Sequence, residues 1–140
     1  MALPATLTLR VVTPDRAIID EQVDEVELPG AEGYFGVLPG HAPLLAELQV
    51  GEMWYRKGSE RFFVAVAFGS AEVLPDRVTV LARVAERADE IDVSRAESAV
   101  KRAEEQLTRG VQDMDFERAR ISLLKSLARL QVAERRRMRG

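Results

Sequence analysis

Glycine and proline are concentrated in residues 28–45, and this stretch restricts the possible folds more than any other part of the chain. It contains four of the nine glycines and three of the six prolines. Glycine permits backbone angles that other residues avoid, and proline fixes its own φ, so this density predicts tight turns. The segments between the turns, 34–38 and 43–46, have the length of strands. The sequence therefore predicts a β domain here, with partner contacts near its loops.

Alternation of apolar and polar residues extends this prediction over residues 1–85. Leu7, Leu9 and Val11 alternate with polar neighbours, which is typical of a half-buried strand. A run between two turn signals places four side chains on one face, namely Phe62, Val64, Val66 and Phe68. Roughly eight to ten short strands at this spacing predict an antiparallel β sandwich or flattened barrel.

The periodicity becomes helical after a charged connector at 86–90. Asp92 is a suitable N-cap for a helix over 93–109, and Gly110 suits the position just beyond its end. A second helix follows after a short loop and reaches about residue 135, so residues 86–140 are predicted to form an antiparallel hairpin. The apolar arc spans about 100° on the first helix and about 220° on the second. Part of the second helix must therefore pack on the β domain, on another protein, or on each in turn.

Composition argues against several classes of function. One histidine, no cysteine and a net charge of −3 argue against a metal site and against general nucleic-acid binding. The sequence has no apolar run of about eighteen residues, so direct membrane insertion is not expected. His41 has no evident nucleophile beside it, and neither a P-loop nor a GxGxxG motif occurs. These features predict a non-catalytic protein in which His41 is a turn residue.

Basic residues recur at helical spacing in both predicted helices. They are Arg95, Arg102 and Arg109 in the first helix, and Arg118, Lys125, Arg129 and Arg136 in the second. One interpretation is a solvated face that pairs with nearby acidic residues, namely Glu97, Glu104, Glu105 and Glu117. The other is a site for an anion, either a nucleotide phosphate or an acidic partner surface.

Three segments resemble the epsilon subunits of rotary F-type ATP synthases. They are LPGAEGYFGVLPGHAPLL at 28–45, GSAEVLPDRVTVLA at 69–82 and IDVSRAESAVKRAEEQL at 91–107. The resemblance implies a non-catalytic central-stalk subunit that couples proton or other ion flow to ATP synthesis, with a hairpin that restrains ATP hydrolysis. It implies three partners: the gamma subunit, the c-subunit ring and the catalytic beta subunits. The implied contact residues of the β domain are Glu32, Tyr34 and His41.

The resemblance also implies a location and a regulatory ligand. The location is peripheral, on the cytoplasmic face of a bacterial plasma membrane or on the stromal side of the chloroplast thylakoid. Four residues match the I/L-D-x-x-R-A motif of the ATP-binding family members, namely Ile91, Asp92, Arg95 and Ala96. Three basic residues of the second helix would complete that site, namely Arg118, Lys125 and Arg129.

The chain departs from the family at two places. Lys125 stands where the family has an arginine, and lysine lacks the planar fork that grips phosphate at two points, so we expect weak ATP binding and no other cofactor. Phe68-Gly69-Ser70 replaces the Gly-Gly-aromatic sequence of many members. Asp92 also suits a plain helix cap and Arg95 a solvated first turn. A free-standing adaptor or nucleotide-sensing protein with the same two modules remains the alternative.

Overall fold

The computed structural model describes residues 3–110 and 112–139, which form a β sandwich followed by a helical hairpin. This arrangement confirms the predicted fold class. The elements are β1 (Leu7–Val12), β2 (Ala17–Val23), β3 (Glu25–Gly30), β4 (Gly33–Val37), β5 (Leu44–Lys57), β6 (Glu60–Leu74), β7 (Arg77–Arg87), a 3₁₀ turn (Ala88–Glu90), α1 (Val93–Thr108) and α2 (Asp113–Arg139).

The strands are hydrogen-bonded in the order β2-β1-β7-β6-β5-β3-β4. All neighbours are antiparallel except β1 and β7, which run parallel, so one ladder differs from the antiparallel prediction. The described residues contain seven strands rather than the larger predicted number, because β5 and β6 continue through positions where the sequence indicates breaks. The strand β7 also continues to Arg87, so the first two residues of the predicted connector belong to the sheet.

In β5, β6 and β7, the side of the strand that faces the core changes at one row of residues across the sheet. This row consists of Gln49, Phe68 and Arg83. The ladders keep their register on both sides of this row, but the row itself contributes no ladder pair. Core side chains recur at odd spacing across it, from Leu48 to Met53, from Val66 to Ala71 and from Ala82 to Ala85. Strict alternation would require even spacing. The inversion lets bent strands keep one face towards the core in both layers of the sandwich.

Phe68 and Gly69 produce this inversion in β6. Phe68 has a φ of 62°, and Gly69 has a φ of 137° in a place where a Cβ would overlap the carbonyl oxygen of Leu81. Only glycine fits such a position without strain. The positive φ turns the Phe68 ring towards the helices, where the ammonium group of Lys125 lies 5.8 Å from its centroid. The prediction that Phe68 shares the core face of β6 is therefore wrong.

The sandwich core is built from large apolar side chains. Nineteen buried residues of the described chain belong to it, and Leu7, Leu9 and Val26 are fully buried. Tyr55 contributes its ring to the core and donates a hydrogen bond from its hydroxyl to Glu21 at 3.0 Å. Burial of this much apolar surface makes the sandwich the stable part of the chain.

The hairpin buries small side chains instead. Asp92 caps α1 by accepting a hydrogen bond from the Arg95 backbone N–H at 3.0 Å, and Gly110 follows the helix with a φ of 70°, as predicted. The buried residues of α1 and the middle of α2 are small, namely Ala96, Ala103, Ala119, Ser126 and Ala128. Towards its end, α2 packs Val132 and Ala133 against Ala65 and Ile91. Phe116, Leu124 and Leu127 remain exposed on α2, in keeping with its wide apolar arc.

Candidate functional site

A cavity of about 510 Å³ lies between the hairpin and the outer face of the sandwich. Small or apolar residues form much of its wall, namely Ala65, Val66, Ala67, Val84, Ala99, Ile121 and Ala128. The alanines have short side chains, which leave part of the space between the helices and the strands unfilled.

Five basic side chains and one carboxylate also line this cavity. Arg95 and Arg102 come from α1, whereas α2 contributes Arg118, Lys125 and Arg129. The carboxylate is Glu86 of β7. Spacings of seven and four residues put the basic side chains of each helix on the face that borders the cavity. The excess of positive charge suits an anion such as phosphate.

Two of the five basic residues already have partners inside the chain. Arg129 is only 22% exposed, and its Nε lies 2.7 Å from Oε1 of Glu86. Lys125 lies over the Phe68 ring. Arg95, Arg102 and Arg118 are exposed at the rim. An incoming anion would therefore meet three solvated guanidinium groups first, while the other two cations are held at the sheet.

The structure brings only some of the predicted ATP-binding residues together. Arg95, Arg118, Lys125 and Arg129 share the cavity, whereas three others do not line it, namely Ile91, Asp92 and Ala96. In this conformation Ile91 packs in the cluster with Val132, Asp92 serves as the helix cap, and Ala96 is fully buried. The side chain of Arg136, predicted on the same basic face, lies outside the described part of the chain.

Glu86 and Arg102 line the cavity but were not among the predicted nucleotide residues. The signal for Arg102 was its spacing of seven residues from Arg95. Glu86 could not be found in this way, because the sequence assigned it to a connector and the structure places it in β7. Its distance of 43 residues from Arg129 leaves no local pattern that links the two.

The predicted contact residues lie near the turns of the sandwich. His41 is in a turn as predicted: its backbone N–H donates to the Leu38 carbonyl oxygen at 3.1 Å, and its Nδ1 lies 2.6 Å from the Ala42 carbonyl oxygen. It borders a second cavity of about 340 Å³ beside Leu38. Glu32 and Tyr34 are exposed. Several apolar side chains of this region are also exposed, namely Leu3, Leu38, Leu44 and Leu45.

The described residues, 3–110 and 112–139, provide neither a metal site nor a helix that could span a membrane. These residues contain no group of three or more carboxylate or histidine side chains placed to hold a metal ion. Within the same ranges, neither helix combines the length and hydropathy that crossing a bilayer requires.

Comparisons with known proteins cover both parts of the fold. Residues 6–88 match the beta-sandwich domain of the ATP synthase delta/epsilon chain, and residues 89–134 match its long alpha-helix domain. The chain is 50% identical to the ATP synthase epsilon chain of Syntrophobacter fumaroxidans over 129 residues, which cover 92% of this chain and 96% of that one. It is 44% identical to that of Solibacter usitatus over 134 residues, covering 96% and 100%.

A solved structure has the same fold at lower identity. A chain of the Euglena gracilis mitochondrial ATP synthase superposes with a TM-score of 0.82 at 23% identity, covering 95% of this chain and 84% of that chain. The matched domains span the sandwich and the hairpin, and the identity to bacterial relatives extends over nearly the whole length. The chain therefore belongs to the ATP synthase delta/epsilon family, and its relatives are the epsilon chains.

Proposed function

We propose that the chain is a central-stalk subunit that couples ion-driven rotation to ATP synthesis and is not itself catalytic. The observation that carries this proposal is the 50% identity to an epsilon chain along 92% of the sequence. The gamma subunit and the c-subunit ring are the proposed partners of the sandwich. The Euglena gracilis structure that shares this fold is of an assembly that includes a c-ring, which supports this choice.

The exposed turn region around Tyr34 and His41 is the proposed contact with the c-subunit ring. Leu45 there is 78% exposed, and Leu3, Tyr34 and Leu38 are exposed as well; such a group of exposed apolar side chains often marks a contact with a partner. Leu45→Asp should weaken recovery of the chain with gamma and the c ring from reconstituted complexes. The matched control is Leu81→Asp, at an exposed leucine of β7 outside this turn region, which should be recovered normally. Equal recovery of both variants would contradict the contact.

A peripheral location on the cytoplasmic face of a bacterial plasma membrane follows from these partners. The relatives with the highest identity quoted above are bacterial. In a native cell extract, the chain should sediment with membranes together with gamma. It should leave the membranes with gamma when the catalytic sector is stripped off. Release of the chain alone by a mild salt wash would instead favour a free-standing adaptor.

The hairpin is the proposed inhibitor of ATP hydrolysis. Its contact with the sandwich consists of a small apolar cluster and ion pairs, so a second packing can compete with the docked one. In that second packing, the basic face of α2 would meet an acidic segment of the catalytic beta subunits. The exposed Phe116, Leu124 and Leu127 provide apolar surface for the same contact.

Removal of the hairpin tests this role. A chain that ends after Arg87 keeps all seven described strands. In the reconstituted complex it should raise ATP hydrolysis and leave gradient-driven ATP synthesis in place. Hydrolysis that stays at the level of the full-length chain over a range of ATP concentrations would contradict the inhibitory role.

ATP is the proposed regulatory ligand of the cavity. Arg95, Arg118 and Arg129 are suited to the phosphates, and Lys125 contributes charge without the planar fork. Bound ATP would stabilise the docked hairpin, because a ligand favours the state that binds it. Arg102 of α1 and Glu86 of β7 also line this cavity, and both would contribute to the shape and charge of the ATP site.

Calorimetric titration of the full chain with ATP tests this ligand. We expect saturable heat at ATP concentrations in the upper micromolar to millimolar range, and its loss in Arg95→Ala. Arg120→Ala is the matched control, since Arg120 is an exposed arginine of α2 that pairs with Glu117 and does not line the cavity. No heat at millimolar ATP would leave Asp92 and Arg95 as helix-start residues. ATP binding without any complex with gamma would favour the nucleotide-sensing alternative.

A further inference from the structure

Glu52 is the only charged residue that is buried within the part of the chain that the structure describes. It lies on β5 and is 8% exposed, and its neighbours Trp54 on the same strand and Ala65, which pairs with it on β6, are buried as well. Its backbone N–H donates to the Tyr34 hydroxyl at 3.2 Å. Carboxylates are seldom buried without a charged partner, because removal from water costs more than most single contacts return.

The partner of Glu52 is Arg135, near the end of α2. Nε of Arg135 donates to Oε2 at 3.2 Å, and Nη2 donates to Oε1 at 3.3 Å, so the guanidinium group grips both carboxylate oxygens. The guanidinium carbon also lies 5.3 Å from the centroid of the Phe63 ring. The hydrogen bond to Glu52 raises the pKa of Arg135 above its ordinary value. Near its C-terminal end, α2 is therefore held to the sheet by a two-point contact, which fixes both the position and the rotation of the helix there.

The two members of this pair differ in exposure, and the difference determines what each one does. The Glu52 side chain is 9% exposed and that of Arg135 is 40% exposed. With the helix docked and Arg135 absent, the carboxylate would be buried without compensation, whereas water reaches Arg135 if Glu52 is absent. When the helix leaves the sheet, Glu52 becomes solvated and the cost disappears.

We infer that the Glu52–Arg135 pair is a latch that makes docking of α2 conditional. The docked state tolerates the buried carboxylate only while Arg135 grips it, so any event that draws Arg135 away also favours release of the helix. The Glu86–Arg129 pair cannot act in the same way, since both side chains are more than a fifth exposed and Arg129 also borders the cavity. The latch is a property of the chain alone and does not depend on ATP or on inhibition of hydrolysis.

Distance measurement between two spin labels tests the latch. The sequence has no cysteine, so labels can be attached to Ser59→Cys in the β5–β6 turn and Gln131→Cys on α2, both exposed positions. We expect one main distance in this background. Arg135→Met should increase the population with longer distances about tenfold, and Glu52→Leu by only about threefold, because the remaining arginine is partly solvated.

A double replacement separates a latch from a general loss of contact. Glu52→Leu combined with Arg135→Met removes both charges and should return the distances to the background distribution. Arg120→Met is the matched control, because it breaks an exposed pair with Glu117 and should leave the distances unchanged. If Arg135→Met does not fold, Arg135→Lys keeps the charge without the fork and should give an intermediate shift.

Two results would overturn the latch. The first is an unchanged distance distribution in Arg135→Met, or in Arg135→Lys where that variant is used. The second is a double variant whose hairpin is as strongly undocked as the sum of the two single variants. Amide exchange of β1 and β7 in each variant confirms that the sandwich itself is intact.

Discussion

The sandwich and the hairpin are held in different ways. Among the described residues, the sandwich core joins nineteen buried side chains across ladders that link all seven strands. The cluster between the hairpin and the sandwich has only four buried members, of which Val132 and Ala133 belong to α2. Charged pairs supplement it, such as Glu86 with Arg129.

This difference predicts that the hairpin can leave the sandwich under conditions in which the sandwich stays folded. Neighbouring strands of the sandwich share one apolar core, so no strand can leave it without exposing the buried side chains of the others. Small side chains bury little area each, and paired charges can be solvated again on release, so the hairpin can open while the sandwich stays folded. A segment that opens while its support stays folded requires this division.

The largest effect is expected in the sandwich core. Leu9→Ala removes a fully buried side chain and should lower the free energy of unfolding by about 3 kcal/mol. Leu45→Ala is the control at a leucine that is 78% exposed, and it should change that free energy by less than about 0.5 kcal/mol. Chemical denaturation measures both. Similar losses would mean that the core does not hold the sandwich together.

A slightly smaller effect is expected where the strands invert their buried face. Gly69→Ala should cost about 2 kcal/mol, because its φ is positive and its Cβ would overlap the Leu81 carbonyl oxygen. Gly36→Ala has open space around the added Cβ and should cost about 0.5 kcal/mol or less. Thermal unfolding of the two variants makes the comparison. Equal costs would contradict a constraint at the inversion row.

A local effect is expected at the docking surface. Val132→Ala removes two methyl groups from a fully buried position on α2, which should favour opening of the hairpin by about 1.5 kcal/mol. Amide exchange should then accelerate in α1 and α2 while the protected amides of the strands keep their rates. Faster exchange in the strands by the same factor would show one cooperative unit and contradict the comparison.

The smallest effect concerns a charge on the sandwich surface. The hydrogen bond from Lys57 to Glu21, at 2.7 Å, lowers the pKa of Glu21 below its ordinary value. The unfolded chain therefore binds this proton more readily, so the contribution to stability is present above the ordinary pKa and is lost as the pH falls through the lowered one.

Lys57→Met should remove this contribution, which is a few tenths of a kcal/mol for a partly exposed pair. Its unfolding free energy should fall less than that of the unsubstituted chain as the solution is acidified. Lys101→Met, at an exposed lysine of α1, should follow the unsubstituted chain. If Lys57→Met also follows the unsubstituted chain, this surface pair contributes nothing measurable.

Local sequence signals predicted the elements but not their long-range partners. Asp92 and Gly110 predicted the ends of α1, because caps and positive φ angles depend on adjacent residues. Alternation failed at Phe68, since the rule assumes extended angles that this residue does not have. Helical spacing placed on common faces five basic residues that border one cavity, namely Arg95, Arg102, Arg118, Lys125 and Arg129, but Arg109 from the same predicted series does not line it.

Pairs far apart in sequence gave no signal at all. Glu52 and Arg135 are 83 residues apart, and neither stands in a local pattern that distinguishes it from other charged residues. A charged residue on an alternating strand is predicted to have a solvent-exposed side chain. Only the packing of α2 over β5 converts this position into a buried one.

The parallel ladder between β1 and β7 sets a lower limit on when the sandwich can form during synthesis. Leu9 pairs with Val78, so the first strand to leave the ribosome waits for the last strand of the sheet. Until then the apolar face of β1 lacks one of its two neighbouring strands, and closing so long a loop is slow compared with forming a hairpin. The helices add no strand to this sheet, so completion of its ladders does not have to wait for the hairpin to fold.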